Sequence, residues 1–129
     1  MRSHRFLVLG CLALAGLLAG CQSVQPLPDP RISVDPALSH DLAIGRLVTM
    51  RNQGNIMEVQ ATLINLGYRT LPLDIRVDWF DLTGIKQDSL TEKWHTISVS
   101  RRGEYSLKVT APNDQATDFR CYINETKRN

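Results

Sequence analysis

Cysteine is scarce. Three residues in a chain of 129 cannot build a disulfide framework. Aromatic residues make up only 6%, and the formal net charge is +2, too weak a bias for a nucleic-acid surface. No stretch reaches the ~20 apolar residues that a membrane-spanning helix requires. Glycine (8) and proline (6) are at ordinary levels, and 43% hydrophobic with 22% charged residues excludes a disordered, collagenous or coiled-coil chain. What is left is a single globular domain, because 129 residues are too few for two of ordinary size.

The amino terminus reads as an export signal. Arg2 and Arg5 give a positive start, and an apolar stretch runs from Phe6 to Leu18. Those thirteen residues would cover about 20 Å as a helix, short of the ~30 Å hydrocarbon core but suited to the apolar region of a cleaved signal. The following Leu18-Ala19-Gly20-Cys21 resembles the lipobox of bacterial lipoproteins. That resemblance implies cleavage before Cys21, acylation of Cys21 and anchoring in a lipid bilayer; two or more acyl chains hold a protein stably. Gln22 stands where Asp commonly retains such proteins in the inner membrane, so the expected location is the outer membrane, facing the periplasm. Removal of Arg2 and Arg5 leaves thirteen basic and thirteen acidic side chains, a neutral mature domain.

Residues 21–40 read as the lipidated cysteine and a flexible tether. Gln25-Pro26-Leu27-Pro28-Asp29-Pro30 holds three prolines in six residues, and Pro36 interrupts the weak run from Arg31 to Val34. The alternative is that Ile32 and Val34 form a short edge strand. Once Cys11 leaves with the signal and Cys21 carries lipid, Cys121 stands alone. It shares strand parity with Phe119 and Ile123, so a buried, inert thiol is expected.

From residue 41 to 129 the dominant signal is alternation. Met57, Val59, Ala61 and Leu63 share one parity; Ile75, Val77 and Trp79 alternate with Asp74, Arg76 and Asp78. Ile97 and Val99, then Tyr105, Leu107 and Val109, then Phe119, Cys121 and Ile123 repeat the pattern, whereas Leu47 to Met50 is strand-like without clean alternation. Turn chemistry separates the runs. Asn52-Gln53-Gly54-Asn55 suits a hairpin, Asp81-Leu82-Thr83-Gly84 a type I turn, and Arg102-Gly103 and Pro112-Asn113-Asp114 further breaks. Leu71-Pro72 is expected to be an extended connection or edge. The fold class is therefore all-β: an immunoglobulin-like antiparallel sandwich of six to seven strands, with a small Greek-key barrel as the alternative. Its expected core is Val59, Leu63, Ile75, Val77, Trp79, Ile97, Val99, Leu107, Val109, Phe119 and Ile123.

Leu63 and Asn65, Val77-Asp78-Trp79-Phe80-Asp81 with Gly84, Trp94, Ala111-Pro112 and Asp118-Phe119-Arg120 resemble the YcfL-like family of small bacterial envelope lipoproteins. The resemblance covers about half the chain, from Ala61 to Ile123. It implies an immunoglobulin-like sandwich exposed to the periplasm, with no known catalytic residues.

Chemistry is sparse. His40 and His95 are far apart, with no cysteine or carboxylate at ligand spacing, and neither a Gly-x-Ser-x-Gly nor a phosphate loop occurs. Asp74, Asp78 and Asp81 form the densest acidic cluster, which reads as a solvated sheet face and a turn cap; a hydrolase or metal enzyme would need His95 beside them. No catalytic residue, cofactor or metal is expected. Phe80 has opposite parity to Trp79, and Trp94 opposite parity to Ile97 and Val99, so both are candidate contacts for a partner unless a strand end or the tether covers them. The expected function is non-enzymatic binding of another envelope protein, and the alternative is a periplasmic module for a small ligand or glycan. A module of that second kind requires a concave apolar pocket.

Overall fold

The computed structural model describes residues 29–127. The signal at 1–20, Cys21 and the first part of the tether lie outside the described residues. Eight strands follow one another: β1 (Ile32–Val34), β2 (Leu42–Arg51), β3 (Met57–Asn65), β4 (Leu71–Asp81), β5 (Lys86–Gln87), β6 (His95–Val99), β7 (Glu104–Thr110) and β8 (Ala116–Glu125). Two single turns of 3-10 helix, Pro36–Leu38 and Leu90–Glu92, interrupt them. The strands make two sheets. One is ordered β1-β8-β4, with β5 and β6 both on the far side of β4; the other is β2-β3-β7.

The expected all-β sandwich is the architecture found, with eight strands in place of six or seven. The unexpected one is the two-residue β5, and β1 is the short edge strand given above as the alternative for Ile32 and Val34. The pairing is not antiparallel throughout, since β1 runs parallel to β8, with Ile32 opposite Cys121 and Val34 opposite Ile123. This moves the start of the folded part to well before residue 41. Asp29 clamps Arg31 through a two-point ion pair, the Arg31 guanidinium lies 4.6 Å from the centre of the Phe119 ring, and Leu38 is fully buried. The Asp35 carboxylate accepts the Ala37 N–H, so the proline that breaks the run also begins a capped turn.

The core sits between the sheets. Leu71, Leu73, Ile75, Val77 and Trp79 all point inward from β4, the central strand, and each is at most 3% exposed. Leu71-Pro72 opens that strand and is not a connection or an edge. Pro72 is tolerated because its nitrogen and carbonyl both face chain just past the end of β8, where the carbonyl accepts the Thr126 N–H and the missing N–H costs no bond of the β4–β8 ladder. Trp79 stacks at a tilt on Phe119, ring centres 6.1 Å apart, and its indole N–H donates to Thr91 Oγ1 at 2.9 Å. Thr91 in turn donates to the Val77 carbonyl, which leaves no polar atom of the tryptophan stranded. Ile97, Leu107 and Val109 are half-buried, not fully buried, because β6 and β7 lie at sheet margins.

Local chemistry explains the turns. The Asn52 side chain accepts the N–H groups of Gly54 and Ile56, while Asn55 takes the left-handed conformation at φ 59°. The Asp81 carboxylate accepts from the Thr83 hydroxyl and from the N–H groups of Thr83 and Ile85, and Gly84 supplies φ 82°. Those bonds, the Thr83 hydroxyl first, hold the Asp81 carboxyl below the ordinary carboxylate range. In β2 the register shifts between Ile44 and Leu47. This bulge flips the parity of the inward residues. Alternation is hidden from Leu47 to Met50 because polar Thr49 stands opposite inward Val59, while apolar Val48 and Met50 take the outer face.

Candidate functional site

The outer face of the five-stranded sheet carries the residues singled out in the sequence. Side chains directly opposite one another on paired strands share a face, so register decides who meets whom. Arg76 stands opposite Tyr122, Asp78 opposite Arg120, and Phe80 opposite Asp118 on one side and Lys86 on the other. Because Ile75 faces His95, the preceding Trp94 is carried alongside Arg76. The Arg76 guanidinium lies 5.2 Å from the Trp94 ring centre and 4.7 Å from that of Tyr122, with the cation held between two aromatic faces.

Charge threads through this cluster. Asp78 is buried, and its Oδ2 accepts from Arg76 Nη2 at 3.2 Å. Its Oδ1 faces the Lys86 ammonium at 3.4 Å, a charge contact without hydrogen-bond geometry, and Lys86 also reaches Glu92. Burial works against the Lys86 charge, but Asp78 and Glu92 outweigh it and hold the ammonium above its ordinary range. Arg76 Nε and Asp78 Oδ1 have no hydrogen-bond partner.

Phe80 and Trp94 therefore share one face, but they are not adjacent. Phe80 stands four residues beyond Arg76, about 13 Å along the strand, and is partly covered by Arg120, whose guanidinium lies 6.0 Å from its ring centre. Trp94 is 46% exposed. Arg76 and Tyr122, which complete the cluster, are not singled out by the sequence. Their outward parity is visible there, but nothing in the sequence pairs β4 with β8 in this register.

The acidic trio does not assemble into one site. Asp74 accepts from the Thr96 and Thr126 hydroxyls, Asp78 belongs to the arginine cluster and Asp81 caps its turn. His95 is exposed with Nε2 3.2 Å from the Leu90 carbonyl, and its position opposite Ile75 directs it away from the face of the Asp74–Thr96 pair. Among the described residues, no three His, Cys, Asp or Glu side chains gather as metal ligands. Cys121 is buried, as its parity with Phe119 and Ile123 indicates, and burial pushes its thiol up to about 12.

An apolar cavity between the sheets, bordered by Leu47, Val77, Leu107 and Phe119 among others, has a volume of about 10 Å³. That is barely one water's worth and leaves no room for an apolar ligand. A larger surface groove beside Asp35, Arg69, Glu125 and Lys127 is open and charged, unlike the concave apolar pocket a small-ligand module requires.

Residues 31–125 match a family described as "Protein of unknown function (DUF1425)". The chain belongs to the DUF1425 family. Its fold is similar to that of two solved structures. One, Campylobacter jejuni cj0090, is 19% identical with a TM-score of 0.65, covering 76% of this chain and 100% of the other. The second is a DUF1425 family member from Shewanella sp. pv-4, 17% identical with a TM-score of 0.59, covering 68% of this chain and 81% of the other. No curated protein matches the chain. The family match begins at Arg31, in agreement with a folded part that includes β1.

Proposed function

We propose that this DUF1425 protein is a non-enzymatic bacterial envelope lipoprotein of the YcfL-like kind. In this reading acylated Cys21 anchors it to the outer membrane on the periplasmic side, and its sandwich binds another envelope protein. The lipobox carries the anchoring, and the outer face of the five-stranded sheet carries the docking. Seven residues, 22–28, separate Cys21 from the first described residue, so the chain spans at most roughly 30 Å between lipid and domain. Confinement that close raises the local concentration of the domain around membrane-bound targets, and a modest affinity then suffices.

The observation that favours this face is Trp94, half-exposed and backed by Arg76 and Tyr122. Tryptophan, arginine and tyrosine are the residues that most often carry binding energy at protein interfaces. Here the arginine is already held in place by Asp78, so less side-chain freedom is lost on docking.

A photo-reactive amino acid at Trp94, with Tyr68 on the β3–β4 loop as control, tests the docking in the native host. One discrete adduct from position 94 and none from position 68 is the expected outcome; no adduct, or equal yields, would count against it. Anchoring is tested separately by palmitate incorporation, expected in wild type and lost in Cys21→Ser.

A further inference from the structure

The three-stranded sheet has a long open edge. Along β7, the bonds from Ala111 N–H to the Met57 carbonyl (2.8 Å) and from Asn65 N–H to the Gly103 carbonyl (2.9 Å) set the phase of the ladder with β3. Since hydrogen-bonded pairs alternate, Tyr105, Leu107 and Val109 are the residues that bond β3. The backbone N–H and C=O groups of Glu104, Ser106, Lys108 and Thr110 point the other way, where no strand lies among the described residues.

Other edges of the molecule are blunted. β1 has three residues, β5 two and β6 five, and the ten-residue β2 is broken by its bulge. Short strands and bulges are the usual means of preventing edge pairing. The seven residues of β7 have neither a bulge nor a proline. Its charged residues are Glu104 and Lys108, and whether a charge protects an edge depends on what it meets.

We propose that β7 pairs with β7 of a second copy of this chain. The two strands run antiparallel about a two-fold axis at Ser106 and make one continuous six-stranded sheet. The outward phase permits only registers that set even residues opposite even residues. Among these, centring on Ser106 places Glu104 opposite the second copy's Lys108, and Lys108 opposite its Glu104. Centring on Glu104 or on Lys108 sets like charges face to face, and centring on Tyr105 puts Arg102 opposite Lys108. Centring on Leu107 pairs no charges at all. Glu104 makes no ion pair among the described residues, whereas Lys108 already reaches Glu58 at 3.2 Å, so the second copy's Glu104 completes a three-charge cluster. On the inner face the same register sets Tyr105 opposite Leu107, two half-buried apolar side chains that the partner strand would cover. This edge belongs to the sheet opposite the Trp94 face, and the pairing stands whether or not that face docks a partner.

Sedimentation equilibrium of the full chain in mild detergent tests the proposal. Wild type is expected to dimerise. Glu104→Lys and Lys108→Glu each set like charges opposite one another twice and should weaken the dimer by roughly tenfold or more. The double reversal Glu104→Lys/Lys108→Glu restores it. Ser106→Pro removes an outward N–H that β3 does not use; it should abolish the dimer while circular dichroism shows the fold retained. A monomeric wild type leaves the edge bare or open to another protein's strand, and overturns the proposal. Single reversals without effect, or a double reversal without recovery, overturn it equally.

Discussion

β4, in the middle of the five-stranded sheet, has hydrogen-bonded neighbours on both sides and buries every inward residue from Leu71 to Trp79. β7, at the margin of the three-stranded sheet, has a neighbour on one side and leaves Tyr105, Leu107 and Val109 only half-buried, although its alternation is just as regular. Alternation therefore reports which face a side chain takes, while rank within the sheet decides how deeply it is buried. The outer faces differ in the same way. Beside β4, closely flanking strands let Arg76, Asp78, Trp94 and Tyr122 lock together, whereas Glu58, Gln60, Ser106 and Lys108 on the thin sheet make an open polar surface.

The sharpest test of that contrast pairs two truncations. Trp79→Ala should cost about 3–5 kcal/mol and bring the domain close to unfolding, while Leu107→Ala should cost about half as much or less, both read from urea denaturation. Equal losses would erase the distinction between centre and margin. Alkaline stability probes the same core beside β4. The Cys121 thiol is raised from 9.0 to about 12, so the folded chain keeps a proton that the unfolded chain releases. Its contribution is intact below pH 9 and is lost as pH climbs towards 12, roughly a few kcal/mol in all. Comparing the slope of stability against pH with that of Cys121→Ala isolates it, and iodoacetamide should label the thiol only after unfolding.

Smaller effects follow on the outer face. Asp78→Ala leaves Arg76 and Lys86 without their shared carboxylate and should cost about 2 kcal/mol, moderated by the partial exposure of both cations. Thr91→Val removes both the acceptor for the Trp79 indole and the donor to Val77, with an expected cost of about 1–2 kcal/mol and a changed near-ultraviolet dichroism. Lys108→Ala breaks an exposed ion pair on the thin sheet, and at concentrations low enough to keep the chain monomeric its urea midpoint should stay close to that of wild type. A larger effect would mean that this surface is not an open, solvated one.

Much of the fold is legible in the order of the residues. Parity places Val59, Leu63, Ile75, Val77, Trp79, Val99, Phe119 and Ile123 in the core, and all are buried. The Asn52–Asn55 and Asp81–Gly84 turns follow from residues that bond their own backbone or tolerate positive φ. Sequence and structure part where a local rule is overridden at a distance. Pro36 suggests loose chain, but β8 supplies a ladder for Ile32 to Val34 and the core takes in Leu38. Pro72 suggests an edge, but its place at the strand's start makes the missing N–H harmless. The candidate contacts divide the same way. Parity finds Trp94, whereas its companions Arg76 and Tyr122 depend on a pairing between residues 46 positions apart in the chain.

By itself the sequence determined the two-residue period, the turns and the inward face of each strand, because these depend on side chains a few positions apart and on local backbone preference. Tertiary structure alone decided which strands are neighbours, in what register, and which edge is left unpaired. Those choices come from burying two sheets against each other, and they bring Arg76 between Trp94 and Tyr122 and turn the amides of β7 outward.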